Sequence, residues 1–330
     1  MDQTNDIVPG FKIIKGTEIN EKLLNYAENG ALRGVWLGFP NIHKHYTMSL
    51  PGVTDWTGFP QSGKTQVLME FLLNTSIFYG WKHLVYFPDV GNDIEILSDL
   101  IHKYTGKSFD KRFKNLITEE EVLNATPFIL EHFKIVTKQD LKAKMNPYQF
   151  WDWAVHLKKT EGLHTASIDA WKDMDHSKER EIGRTDQYLE DVLAYRNSIA
   201  ERHHLHLHTI IHPLKTEKEG GVRKAPGPYD LKGGSEWYNN GKSMITVHRP
   251  EKSGNLVEIY FNKIKPRSIG NVGIDELYFD NVPFRYYVED LDSDSKTVKR
   301  YAIKDEYKSG KQFVDALTGP DDEDEDQVPF

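Results

Sequence analysis

The stretch Gly58-Phe59-Pro60-Gln61-Ser62-Gly63-Lys64-Thr65 constrains this chain more than any other. It fits G-x-x-x-x-G-K-[ST], a pattern whose residue types derive from one task, holding a phosphate. Glycine lets the backbone turn tightly, so that successive N–H groups point inward as an anion nest with no side chain in the way. The Lys64 ammonium can reach the outer phosphates of a nucleoside triphosphate, and the Thr65 hydroxyl can ligate Mg2+. Gly58, Gln61, Ser62, Gly63, Lys64 and Thr65 are therefore the expected nucleotide-binding residues. Context supports the pattern. Gly52–Trp56 reads as a short strand, and Thr65–Leu73 has an apolar face at helical spacing. A phosphate would then sit at a helix N-terminus. A glycine-containing surface turn is the competing reading, and the flanking strand and helix argue against it.

At 330 residues the chain has room for one large domain or two small ones. Its 38% hydrophobic and 28% charged residues suit a soluble globular protein with a sizeable core. Neither a long apolar run nor a signal-like N-terminal segment is visible, so no membrane span and no secretory route are expected. The absence of cysteine excludes disulfides, thiolate zinc sites and cysteine nucleophiles, and agrees with a cytoplasmic setting. The net charge of −8 argues against a uniformly basic coat for nucleic acid. Most of that charge lies in Asp321–Asp326, however, so a local basic loop remains compatible with the total.

Along the chain, residues 1–50 form an N-terminal extension, in which Ile19–Ala27 has the spacing of a short amphipathic helix. That helix packs either on its own domain or on a neighbouring subunit. Residues 51–288 alternate strand and helix. Strands are expected at Val53–Trp56, His83–Phe87, Phe133–Val136, Thr165–Ile168, His206–Ile211, Ser243–Val247 and Val257–Phe261. Helices are expected after the phosphate loop, at Ile94–Tyr104, near Pro147–Lys159 and at Asp186–Glu201. Such alternation predicts an α/β fold with a mostly parallel sheet, whose ligands gather at the carboxyl ends of its strands. Gly106–Pro127 reads as an inserted excursion, and residues 289–330 as a polar region beyond the core.

Three strand ends carry reactive side chains: Asp89 after Phe87-Pro88, Asp169 after Thr165–Ile168, and His212 after Ile210-Ile211. An aspartate there can order Mg2+ or cap a helix, and the phosphate loop favours the metal role for Asp169. His212 can report the state of a γ-phosphate to the adjoining segment, Lys215–Pro228. This segment is rich in glycine, proline and basic side chains, which suits a nucleic-acid backbone as well as an ordinary solvated loop. His206 and His208 would share one strand face, where they could chelate a metal. No matching carboxylate or cysteine accompanies them, so half-buried or surface positions are expected for the histidines from His203 to His208 instead.

Together these residues resemble the RecA-fold helicase module of DnaB-like and Twinkle-like replicative helicases, as in the helicase half of phage primase–helicases. The resemblance runs from Gly34 to Tyr287. It rests on Gly34-Val35-Trp36, Phe39-Pro40, the phosphate loop, Phe87-Pro88-Asp89 with Asn92, Asp169, and Ile211-His212-Pro213-Leu214-Lys215. It continues through Asp230–Ser235 and Phe261-Asn262-Lys263-Ile264-Lys265-Pro266-Arg267. The resemblance implies a RecA-like ATPase that uses ATP and Mg2+, with Thr65 and Asp169 on the metal. It also implies a homo-oligomeric ring, usually a hexamer, with nucleotide at subunit interfaces and single-stranded DNA in the channel. Lys263 would be the sensor and Lys265 or Arg267 the finger reaching a neighbour's site. Lys215, Lys218, Arg223, Lys224 and Lys232 would hold DNA. The chain departs from the pattern in carrying Asp89 where the family has a glutamate base. It also shows no primase or zinc-binding domain ahead of the module, so priming is expected from a separate protein. A phage origin, and hence a host cytoplasm, fits the resemblance.

The reading is an ATP-dependent replicative DNA helicase. Its alternatives are a RecA-like recombinase or annealing ATPase, and a low-turnover nucleotide-binding loader or adaptor. Asp321–Asp326 followed by Gln327-Val328-Pro329-Phe330 is expected to be disordered. Its pattern resembles the acidic tips of single-stranded DNA-binding proteins, which implies recruitment of a replication partner such as a polymerase or primase. Solubility alone is the competing role.

Overall fold

Runs rich in Val, Ile, Thr and aromatics favour the pleated, buried strand, and here they build one sheet. The computed structural model describes residues 13–302, apart from residues 15, 32, 141, 215–223 and 292–293. Two helices come first, α1 (Gly16–Asn29) and α2 (Pro40–His43). Strand and helix then alternate: β1 (Gly52–Thr57), α3 (Lys64–Tyr79), β2 (His83–Tyr86), α4 (Asp93–Thr105), α5 (Glu119–His132) and β3 (Phe133–Ile135). Next come α6 (Pro147–Glu161), β4 (Thr165–Asp169), α7 (Ser177–Ile182), α8 (Thr185–His203), β5 (His206–Ile211) and α9 (Gly234–Asn240). The chain continues as strands: β6 (Ser243–His248), β7 (Leu256–Lys263), β8 (Gly273–Asp280), β9 (Arg285–Leu291) and β10 (Thr297–Tyr301). The α1 helix belongs to a unit of its own, separate from the one that begins at Gly34. Its Leu23, Leu24 and Tyr26 are exposed.

The strand order is β10-β9-β8-β7-β6-β1-β5-β4-β2-β3. From β6 to β3 all pairings are parallel, and from β6 to β10 all are antiparallel. This is the expected RecA-like α/β architecture. Side chains alternate across the pleat, so Trp56 joins a core with Phe71, Leu72, Leu100 and Ile129 under α3, α4 and α5. Val53 joins the opposite core with Trp151, Val192 and Trp237 under α6, α8 and α9. Both faces of the parallel strands are covered, which is why those strands are nearly continuous in apolar residues.

The polar stretch from Asp290, expected to lie beyond the core, still pairs with the sheet. The β9 strand runs to Leu291 and pairs antiparallel with β10. Arg285 on β9 donates to the Ala302 carbonyl at 2.7 Å and to Asn74 at 3.1 Å, and it also reaches Glu70 on α3. A one-sided antiparallel hairpin needs few inward side chains. Its outward residues are therefore polar, and composition alone reads it as a tail.

At the centre of the sheet, Asp55 on β1 meets Arg196 on α8, both fully buried. The guanidinium donates to Asp55 Oδ2 at 3.1 Å and to Thr209 Oγ1 at 3.1 Å, and it lies 5.5 Å from the Trp237 ring centroid. Removing one partner strands the other charge in the interior, so Asp55→Ala should lower unfolding free energy by about 3–5 kcal/mol. The double replacement Asp55→Ala with Arg196→Leu should lose clearly less. Urea unfolding of both variants measures the difference, and equal losses would mean that the pair is not coupled.

Candidate active site

The phosphate loop leaves the carboxyl end of β1 and enters α3, so the first N–H groups of a four-turn helix face the loop. Two of its glycines are required by the backbone. Gly58 has φ 149°, and a Cβ there would stand 2.2 Å from the Val247 carbonyl oxygen. Gly63 has φ 96°. Lys64 is buried, and its ammonium donates to the Phe59 carbonyl at 2.9 Å. Burial pushes the Lys64 pKa down to about 8, against the pull of Asp169 and Asp89. The Thr65 hydroxyl donates to Asp169 Oδ2. Burial pushes the Asp169 carboxyl up to about 6, with the Thr65 bond and Lys64 acting the other way. Ser62 Oγ is buried with no partner among the described residues.

The sheet order brings the other strand ends to this loop. Parallel register aligns β1 with β5, β5 with β4 and β4 with β2. Asp169 ends β4, His212 follows β5, and Asp89 lies three residues past β2. One ligand atom from each of Asp89, Asp169 and His212 falls within a 4.8 Å cluster. His212 Nε2 is 3.7 Å from Asp89 Oδ2. Burial, helped by Lys64 and Lys172, drives the His212 pKa down to about 4, so its imidazole is neutral near pH 7. This donor set fits Mg2+: two carboxylates and a hydroxyl are hard oxygen ligands beside a phosphate nest.

Sequence reasoning missed three neighbours. Lys172, on the turn after β4, donates to Asp89 Oδ1 at 3.1 Å; its place three residues beyond Asp169 was the available signal. Arg249 follows β6 on the same edge, and its Nε has no partner among the described residues. Tyr286 donates to the Gly63 carbonyl at 3.4 Å from a strand that the pattern did not reveal. Glu95, the nearest glutamate to Asp89 in sequence, is committed elsewhere: its carboxylate accepts from Asn92 N at 2.8 Å and closes a capping box on α4.

The late basic residues are not at this loop. β7 runs antiparallel to β6, with Lys263 opposite Met244, so its end lies at the amino edge of the parallel strands. The Lys263 ammonium is buried against the Tyr238 and Asn239 carbonyls. Lys265 and Arg267 are exposed. Of the basic loop, Lys215, Lys218 and Arg223 lie outside the described residues, as does the acidic segment ending at Phe330. Lys224 is exposed, and Lys232 pairs with Glu179 at 2.8 Å. The two ends of that loop are pinned together, because Pro213 bridges Leu231 and Leu214 N donates to the Asp230 carbonyl at 2.7 Å.

His206 and His208 are fully buried, not half-buried or at the surface. Their rings stack at 4.4 Å. The Ser49 carbonyl can only accept, so His206 Nδ1 carries the proton, and Nε2 accepts from Thr54 Oγ1 at 2.8 Å. Trp56 Nε1 donates to His208 Nδ1 at 3.2 Å. Burial is the main cause that drops the His206 pKa to about 4, and it holds His208 well below the usual histidine range. The unfolded chain protonates the His206 ring below about pH 6.5, whereas the folded chain resists until about pH 4. Stability should therefore fall as pH drops through that window. His206→Gln should flatten the slope of unfolding free energy against pH there, and an unchanged slope would clear His206 of this role.

The fold is a RecA-like α/β core with the phosphate loop at the carboxyl end of β1. The chain superposes on the ATPase domain of G40P with a TM-score of 0.68 at 18% identity, covering 83% of this chain and 99% of that one. It superposes on a DnaB-like replicative helicase with a TM-score of 0.65 at 16% identity, covering 81% and 67%. In sequence it is similar to the Twinkle homolog protein, chloroplastic/mitochondrial, of Arabidopsis thaliana, at 24% identity over 267 residues. That match takes in 77% of this chain and 36% of the relative, so the chain spans about a third of that protein's length. No protein-family model matches the chain. No helix among the described residues is long and apolar enough to cross a membrane.

Proposed function

We propose that this chain is an ATP-driven translocase on single-stranded DNA, the motor of a replicative-type helicase that works as a homo-oligomeric ring. The observation that carries the reading is the convergence of Lys64, Thr65, Asp169, Asp89 and His212 on one strand edge, beside the base of a basic loop. Lys64 exchanges the Phe59 carbonyl for the outer phosphates of ATP. Thr65 and Asp169 are the residues that would hold Mg2+, which neutralises charge developing on the transferred phosphoryl group. Asp89 receives the proton of the attacking water. For that, Lys172 must release Asp89 Oδ1, and its half-exposed, flexible side chain permits the exchange. An aspartate is one methylene shorter than the family's glutamate, and the turn in which Val90 N bonds the Phe87 carbonyl sets where its carboxylate starts.

Neutral His212 links chemistry to DNA. It stands 3.7 Å from Asp89 and immediately precedes the pinned base of the loop. A change in phosphate state at Asp89 is thus felt one residue from the loop, whose Lys215, Lys218, Arg223 and Lys224, together with Lys232, bind the DNA backbone. Lys265 and Arg267 face away from the chain's own nucleotide and act on a neighbouring copy's phosphates, Arg267 as a bidentate clamp or Lys265 as a point charge. The exposed apolar side chains of α1 suit contact with such a neighbour. The acidic segment 321–330 recruits a further replication protein.

Two measurements test the reading. Single-stranded DNA should stimulate ATP hydrolysis by the parent chain. Lys64→Ala should abolish hydrolysis, and Asp89→Asn should lower turnover roughly 10²-fold while nucleotide binding persists. A parent with no DNA-stimulated turnover would leave a nucleotide-holding adaptor, and an Asp89→Asn enzyme as fast as its parent would remove that base.

Second, Lys64→Ala chains keep an intact finger, and Lys265→Ala/Arg267→Ala chains keep an intact phosphate loop. Mixing the two inactive chains should restore part of the hydrolysis through mixed interfaces. No recovery from a mixture shown by native mass spectrometry to co-assemble would remove the trans assignment.

A further inference from the structure

A cavity of about 700 Å3 opens on the carboxyl edge of the sheet at its far end, beyond β2 and β3. Tyr86, Val136, Met145 and Trp153 give it apolar walls, and Lys138 and Lys144 stand at its mouth. Trp153 is 44% exposed, although the next aromatic on α6, Trp151, is fully buried. An indole left open beside a cavity is a binding surface without its occupant. The cations are similarly uncommitted. Lys138, Lys142 and Lys144 are exposed and form no ion pair among the described residues, whereas nearby Lys134 is taken by Glu161 at 2.6 Å. One carboxylate, Asp140, also lines the cavity, but it accepts from Lys142 N at 2.9 Å and holds the turn.

The chain carries a segment with the complementary chemistry. Asp321–Asp326 places six consecutive carboxylates just ahead of Val328-Pro329-Phe330. We infer that this cavity is the receptor for the chain's own segment 321–330, with the Phe330 ring between Trp153 and Met145 and the carboxylates on Lys138, Lys142 and Lys144. Reach is no obstacle. The 28 residues from 303 to 330 span about 90 Å when extended, well beyond the ~50 Å breadth of a domain this size. Tethering also raises the local concentration of the segment into the millimolar range, so a small contact with one aromatic anchor suffices.

Docking there would touch the reactive edge. Tyr86 ends β2, three residues before Asp89. The Met145 carbonyl accepts from Asp175 N at 2.9 Å, which ties the cavity rim to the turn that carries Lys172. A docked segment therefore braces the end of β2 that leads to Asp89 and the turn that carries Lys172. The inference concerns the chain's own contacts and stands whether or not the chain hydrolyses ATP.

The absence of native cysteine makes the test direct. In the full chain, Val328→Cys is paired with Gln139→Cys at the cavity mouth, or with Ser253→Cys on the exposed β6–β7 turn as a control. Under mild oxidation at micromolar concentration, the first pair should close within one chain at least ten-fold faster than the control. That preference should disappear with Phe330→Ser, and with Lys138→Glu/Lys144→Glu in a chain whose melting temperature is unchanged. Equal closure rates, or a preference that survives Phe330→Ser, would overturn the inference. So would disulfides found only between isotope-labelled and unlabelled chains, since the occupant would then be a second copy.

Discussion

Two desolvated charges of opposite sign, Lys64 and Asp169, sit near one another without forming an ion pair, and the rest of the site is arranged around them. Each is shifted toward its neutral form, because burial penalises charge more than the partner relieves it. Thr65 donates to the Asp169 carboxylate, while the Lys64 ammonium turns to the Phe59 carbonyl. Interiors do not leave such charges uncompensated without cost. In the proposed function a triphosphate with its divalent cation would balance them, supplying anions to Lys64 and a cation to Asp169. The arrangement depends in turn on the parallel pairing of β1, β5, β4 and β2, which delivers the three strand ends to the same edge. The Asp55–Arg196 bridge holds α8 against the middle of that sheet.

The part of this that could be read from the amino acids is the part encoded locally. The phosphate loop is eight consecutive residues, and Asp169 and His212 each end an apolar run, so their placement is fixed once the strands are parallel. Lys172 was hidden because its role depends on a contact with Asp89, 83 positions away. Tyr286 was hidden because β8, β9 and β10 are one-sided antiparallel strands with charged outer faces, which lack the continuous apolar signal of the buried strands. His206 and His208 misled for the opposite reason. Histidine is usually a surface or half-buried residue, and here a relay from Tyr46 through Thr54 to Ser49 satisfies a fully buried ring.

Asp89 is where local and tertiary constraints meet. It is held from two sides, by the Lys172 ammonium and by the His212 ring. Glu95 cannot take its place without opening the cap of α4, because its carboxylate accepts from Asn92 N there. With Asp89 as the proposed base, a shorter carboxylate pinned by an exchangeable lysine would make turnover conditional on the position of the β4 turn. That turn is in contact with the rim of the cavity beyond β2. Conditional turnover is useful to a motor whose hydrolysis must wait for its track, and a slow site is equally what an adaptor would need. The choice between them lies in how readily Lys172 moves.

The sheet is polar in its function as well as its direction. Its carboxyl edge carries the phosphate loop, while the end of β7 delivers Lys265 and Arg267 to the amino edge. A copy of this chain therefore presents its phosphate loop on one edge and, on the other, exposed cations with no ion pair among the described residues. In the proposed function a two-fold contact would not bring the two together. Two different surfaces that complement each other make a heterologous interface, which repeats until it closes into a ring or runs on as an open helix. Exposed cations that lack phosphates of their own gain most when each meets the next copy's nucleotide. Assembly and nucleotide binding would then strengthen one another through the same charges.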